Sequence, residues 1–261
     1  MNLAKKSLGQ NFLIDKNIIK KIINLVNIKD RDIIEIGPGR GALTDEILKK
    51  KPKSLILIEK DHKLFESLKN KFSDNKNIKI FNAHILKFNL EKIINFKKSI
   101  IFGNLPYNIS SQIFVKIIKF KKWLPNFDNL ILMFQKELGE KIIGKYKSRN
   151  YSRLSILNDY RFEVINKFIV SQNCFSPKPK VLSIVIHFRP IKNIYNIKNV
   201  NNLEKKTNIF FSNRRKMINK SIKKILSQKK NHIIKDLNLK SRPSDLNPEL
   251  YYIITSLFEK E

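Results

Sequence analysis

Cysteine is almost absent from this chain: Cys174 stands alone among 261 residues. A single thiol excludes an intramolecular disulfide framework and any Cys-based metal centre. The four histidines, His62, His84, His187 and His232, are scattered without ligand spacing, so no metal site is expected. Acidic residues are also scarce, with 22 Asp and Glu against 53 Lys and Arg, giving a formal net charge of +31. Such a field selects a polyanionic partner, and nucleic acid is the default reading. Part of the excess is compositional, because 44 Lys, 42 Ile and 30 Asn, the residues of A/T-rich codons, dominate the chain and Lys outnumbers Arg 44 to 9. Long apolar runs are missing too. None approaches the roughly 20 residues of a membrane span, and no apolar leader opens the N-terminus. A chain with no membrane contact, in the reducing cytoplasm, is the expectation.

What is present is an alternation. Short β-branched runs at 33–36, 55–58, 78–81, 99–102 and 130–134 read as strands. Between them lie segments such as 43–50 and 62–72, whose apolar residues recur three or four apart. Strand and helix in turn predict an α/β fold with a mostly parallel sheet and crossover helices. Two further runs, 162–170 and 181–188, have no clear helix between them and are expected as an antiparallel pair at one sheet edge. Residues 189–202 are polar and unperiodic and read as a linker. From Leu203 the pattern is helical, broken at Pro243 and Pro248. The predicted organisation is a domain over 1–188, a linker over 189–202 and a small helical domain over 203–261.

Three features carry chemistry. Glu35-Ile36-Gly37-Pro38-Gly39-Arg40-Gly41 follows the first strand of the alternation and opens a helix. Its glycines let the backbone turn sharply and approach a ligand. Glu59 ends the next strand, where a carboxylate accepts both hydroxyls of a ribose. This pair is shared by dinucleotide enzymes and by enzymes that use S-adenosylmethionine. The Gly-x-Gly-x-Gly spacing leans toward the latter. Asn104-Leu105-Pro106-Tyr107 ends the fourth strand. An Asn side-chain oxygen and a backbone carbonyl are two acceptors for a planar NH2 group, and the Tyr ring stacks on the heterocycle that bears it. Two acceptors draw the nitrogen toward a tetrahedral shape and free its lone pair for attack. All three elements are expected at the carboxyl edge of the sheet, where ligands of open α/β sheets bind.

These residues, with Leu8–Leu13, Gln135-Lys136-Glu137, Tyr151–Ser155, Phe175–Val181, Phe211–Lys216 and Arg242–Leu246, resemble the ribosomal RNA adenine dimethyltransferase family nearly end to end. The resemblance implies a Rossmann-like S-adenosylmethionine-dependent methyltransferase domain with a mostly parallel seven-stranded sheet, followed by a small all-helical C-terminal domain. It implies dimethylation of two adjacent adenosines near the 3′ end of 16S rRNA, with the small ribosomal subunit or its precursor as partner, and a monomer. Asn11 and Leu13 would close over the cofactor, Gly37 would lie under its methionine portion with Gly39 also binding it, and Glu59 would hold its ribose. Asn104 would contact the cofactor and, with the Leu105 carbonyl fixed by Pro106, hold the target amine. Tyr107 would stack on the target adenine and Phe175 on its opposite face. Arg214, Arg215, Lys216 and Lys220, with Lys223 and Lys224, would meet the RNA backbone, and spacings of three, four and seven put several of them on one helix face.

One position departs from the family. His84 stands where the family carries the Asp that reads the cofactor's adenine amine, and it predicts weaker cofactor binding without loss of activity. Two other readings compete with the favoured one: a ribosome-assembly factor that has lost catalysis, and an adenine methyltransferase acting on large-subunit rRNA or DNA.

Overall fold

The computed structural model describes residues 10–94, 97–219, 222, 238–257 and 259. The chain divides into two compact units, Met1–Gly139 with Phe162–Ile191, and Glu140–Arg161 with Lys192–Glu261.

In the first unit the β-branched runs form a seven-stranded sheet. Its strands are β2 (Asp32–Ile36), β3 (Ser54–Glu59), β4 (Ile78–Asn82), β5 (Ser99–Asn104), β6 (Phe127–Gln135), β7 (Phe162–Val170) and β9 (Ser183–Pro190). The spatial order is β4-β3-β2-β5-β6-β9-β7. The first five in that order are mutually parallel, while β9 runs antiparallel to both β6 and β7. The antiparallel edge pair expected from 162–170 and 181–188 is therefore present. Central strands are buried on both faces and read as continuous apolar runs; in β5, Ile100, Ile101 and Phe102 are fully buried.

Helix α1 (Lys16–Ile23) precedes β2, and α2 (Ala42–Lys49), α3 (His62–Lys71), α4 (Leu90–Ile93) and α5 (Ser110–Ile118) make the crossovers. Asp15 caps α1 by accepting the Asn17 and Ile18 N–H groups at 2.9 and 3.0 Å. Asp61 caps α3 in the same way. Each satisfies donors that the first helical turn leaves open. On α5, Phe114 packs on Phe188 and Phe134 with ring centroids 5.1 and 5.8 Å away. That aromatic cluster fixes the helix that immediately follows residues 104–109.

A second, two-stranded sheet was not foreseen. β1 (Phe12–Leu13) pairs antiparallel with β8 (Phe175–Ser176), placing Leu13 opposite Phe175. It ties the arm preceding α1 to a segment 162 to 164 residues away in sequence, which no local periodicity encodes.

Helix α6 (Lys136–Ile142) leads into the second unit, which contains α7 (Arg153–Arg161), α8 (Val200–Phe211) and α9 (Pro248–Leu257). This division differs from the domain boundary expected at 188, since 140–161 joins the C-terminal helices. The reason is packing. Tyr151, Ile156, Leu157 and Tyr160 are buried, and Tyr252 donates to Asp159 at 3.2 Å while Tyr151 donates to the Leu246 carbonyl at 3.0 Å. Phe210 and Tyr251 meet edge to face at 5.2 Å.

Candidate active site

The carboxyl ends of β5, β2, β3 and β4 stand side by side, and residues at or just after each line one cleft. Its walls include Asn11, Leu13, Gly37, Gly39, Glu59 and His84, together with Asn104, Leu105, Pro106 and Tyr107. The empty space of the cleft, counting the part open to solvent, is about 1090 Å³.

The floor is the glycine turn. Gly37 and Gly39 have φ of +70° and +58°, a region that β-carbons disfavour. A β-carbon on Gly39 would also stand 2.9 Å from the Phe12 ring. Phe12 therefore lies directly on the turn, and the Arg40 guanidinium sits 4.5 Å from its ring centroid on a cation–π contact. The arm that carries Asn11 and Leu13 is thus seated over the glycines.

Glu59 ends β3 with its carboxylate engaged by backbone. Oε2 accepts the Gly39 N–H at 3.1 Å and Oε1 accepts the Asp61 N–H at 2.8 Å. Burial pushes its pKa up, and these N–H groups oppose that. The remaining lone pairs of a carboxylate held this way suit the vicinal hydroxyls of a ribose.

Asn104 is held by the arm. Its Nδ2 donates to the Asn11 carbonyl at 3.1 Å. That bond settles which way the amide points: the nitrogen faces Asn11, and Oδ1 is left as an acceptor. Leu105 is buried and presses its side chain into the space that a β-carbon on Gly103 would take, with Leu105 Cδ2 2.7 Å from that position. Pro106 follows and fixes the local backbone. Tyr107 reaches across to β9, where its hydroxyl hydrogen-bonds the buried Ser183 hydroxyl. Burial raises the phenol's pKa, so the ring stays neutral.

Glu35 belongs to the same cleft and was read in the sequence only as part of the glycine motif. It is fully buried beneath the turn and accepts the Thr44 hydroxyl at 2.7 Å. Burial pushes its carboxyl up from 4.5 to about 8, with the Thr44 bond opposing and Asp45 and Glu59 adding to the rise. The folded state therefore holds this proton more tightly than the unfolded chain. The stability it contributes is complete below about pH 4.5 and is lost as pH rises through about 8. The denaturant midpoint of the wild type should fall across that window, and Glu35→Gln should flatten the slope. An unchanged slope in the variant would remove Glu35 as its source.

Two expectations are corrected. Phe175 does not face the cleft. It is 3% exposed and packs in the core with Leu13, Ile22 and Val185, because its pairing with Leu13 in the small sheet turns it inward. Phe175→Ala should destabilise the chain by about 3–5 kcal/mol, read by chemical denaturation, and Phe175→Leu should restore most of the loss and leave turnover near wild type. A turnover defect in Phe175→Leu at full stability would return the residue to the site. The second correction concerns the basic cluster. Helix α8 ends at Phe211, and Arg214, Arg215 and Lys216 lie in the turns that follow it. Ser212 caps the helix and Lys216 N–H bonds the Asn213 carbonyl, closing a turn in place of a further helical one. Arg214 donates to the Arg149 carbonyl at 2.8 Å, while Arg215 and Lys216 are exposed. Lys220, Lys223 and Lys224, like Leu8 and Gly9, lie outside the described residues.

Comparison with known proteins covers the whole chain. Residues 1–260 match the family model for ribosomal RNA adenine dimethylase. The Ribosomal RNA small subunit methyltransferase A of Pelagibacter ubique (strain HTCC1062) is 44% identical over 98% of this chain and 97% of its own length. The protein of the same name from Mycoplasmopsis synoviae (strain 53) is 44% identical over 82% of this chain and 80% of its own. Among solved structures, that of a dimethyladenosine transferase from Plasmodium falciparum superposes with a TM-score of 0.76 at 25% identity, covering 95% of this chain and 98% of that one.

Proposed function

The chain belongs to the ribosomal RNA adenine dimethylase family, and we propose that it methylates the exocyclic amines of two adjacent adenosines near the 3′ end of 16S rRNA, within the small subunit or its precursor. It is an S-adenosylmethionine-dependent rRNA adenine dimethyltransferase. Its contribution to small-subunit maturation, its action as a monomer and its cytoplasmic location belong to the same proposal. Among the described residues no helix is long and apolar enough to cross a membrane.

The single observation that carries the reading is Asn104 at the end of β5, its amide oriented by the Asn11 carbonyl beside the glycine turn and Tyr107. The residues fit the cofactor: a turn with glycines at 37 and 39 for its methionine portion, and a buried carboxylate bonded by Gly39 and Asp61 for its ribose. When bound, S-adenosylmethionine supplies a methyl already made electrophilic by its sulfonium.

The protein's work is positioning, polarising and excluding water. Asn104 Oδ1 and the Leu105 carbonyl accept the two amine hydrogens, so the nitrogen lone pair turns out of conjugation. Tyr107 stacks on the extruded adenine and offsets part of the few kcal/mol needed to take it from its stack. No dedicated base is required, because the nitrogen becomes acidic once it has gained a methyl. With one hydrogen left on the monomethyl product, the same acceptors serve a second transfer.

The test is methyl transfer to small subunits that lack the modification, with the product nucleoside identified by mass spectrometry and its position by primer extension. Dimethyladenosine at two adjacent positions is expected. Subunit binding without product would leave the assembly-factor reading in its place, and product in large-subunit rRNA or DNA would move the target.

A further inference from the structure

The outer end of the cleft is built by the segment that leaves β4. Ala83 donates its N–H to the Glu59 carbonyl at 2.9 Å, so residues 83–85 are held beside the ribose-binding strand end. His84 opens a turn there. Its carbonyl accepts the N–H groups of Lys87 and Phe88 at 2.8 and 3.0 Å. Its own Nδ1 accepts the Leu86 N–H at 3.3 Å. This is the task that an Asp or Asn side-chain oxygen performs when it caps a turn.

The consequence is chemical. A ring nitrogen that accepts an N–H carries no proton, so in the neutral imidazole the proton sits on Nε2, on the far side of the ring. Burial, with the charges of Lys60, Lys87 and Lys116, holds the imidazole below its ordinary pKa and hence neutral at pH 7. His84 lines the cleft, and in this tautomer the ring edge away from Leu86 carries a donor, not an acceptor. The strand order β5-β2-β3-β4 sets what lies opposite. A ligand with its reacting atom at Asn104 and its ribose at Glu59 carries its base onward, toward the end of β4.

We propose that His84 converts the cofactor-adenine subsite of this chain into a donor site, in which Nε2–H reads a ring nitrogen flanking the exocyclic amine, N1 or N7, and the amine itself goes unread. The inference rests on the cofactor assignment made above. A carboxylate at this place would do the opposite: it accepts from the amine and has nothing to give a ring nitrogen.

Calorimetry on the full chain separates the two. The probes are S-adenosylhomocysteine, its 1-deaza and 7-deaza analogues, and the analogue lacking the 6-amino group. Wild type is expected to lose about 3- to 10-fold in affinity for one deaza analogue and to bind the deamino analogue within about twofold of the parent. His84→Asp should bind the parent more tightly than wild type and invert the order, losing most on the deamino analogue. His84→Asn keeps both an acceptor for Leu86 and a donor for the cleft, and should reproduce the wild-type order. A wild type that suffers most from loss of the amine, or equally from every change, overturns the donor assignment alone. A wild type that fails to bind S-adenosylhomocysteine at all overturns the cofactor assignment and this inference with it.

Discussion

Asn104→Ala is expected to lower the single-turnover rate of methyl transfer by about 10²–10³-fold at saturating cofactor. The side chain acts twice. Its Oδ1 accepts from the reacting amine, an interaction that strengthens as the nitrogen becomes tetrahedral and so appears in the rate. Its Nδ2 holds the Asn11 carbonyl at 3.1 Å, so its removal also loosens the arm seated on the glycine turn. That second effect should weaken S-adenosylhomocysteine by a smaller factor, about 3- to 10-fold for one hydrogen bond. Asn104→Asp discriminates further. It keeps an acceptor of nearly the same shape but sets a carboxylate oxygen against the Asn11 carbonyl, and it should lose cofactor affinity along with rate. Single-turnover rates on unmethylated small subunits, paired with calorimetry, provide the check. A rate within tenfold of wild type in Asn104→Ala would remove the residue from the chemistry.

Tyr107→Ala is expected to reduce the same rate by roughly 5- to 150-fold, the value of one base stacked on an aromatic ring. The loss should fall on the RNA side of the reaction. Cofactor affinity should stay near wild type, because Tyr107 follows β5 whereas Glu59 ends β3, with β2 between them in the sheet. Tyr107→Phe keeps the stacking face and loses only the bond to Ser183; it should retain most of the rate. If the alanine variant turned over near the wild-type rate, the ring would have no part in holding the target base. If the phenylalanine variant were as slow as the alanine one, the hydroxyl would be the working group.

Much of the fold was legible because its signals are local. The runs at 33–36, 55–58, 78–81, 99–102 and 130–134 became the five parallel strands, since β-branched residues buried on both faces leave an uninterrupted apolar trace. The edge pair at 162–170 and 181–188 was legible from the missing helix between its members. That Gly37, Gly39, Glu59 and Asn104 would gather at one sheet edge was legible because they sit at or just after strand ends, and all four line one cleft. Phe175 was not: an aromatic beside a proline-rich loop looks the same whether it faces ligand or core, and its pairing with Leu13 decided the matter. The basic residues at 214–216 were read at helical spacing, but periodicity does not show that Ser212 stops the helix.

By itself the sequence determined which strands exist, which residues close them, and the chemistry those residues bring. Tertiary structure decided how they are aimed. Asn11 turned the Asn104 amide, Ser183 anchored Tyr107, Leu86 placed the His84 proton, and the helix over 153–161 joined the C-terminal unit. The reason is that residue type and spacing record what a segment buries, whereas the orientation of a polar group depends on one partner, and for Asn104 and Tyr107 that partner lies 93 and 76 residues away along the chain.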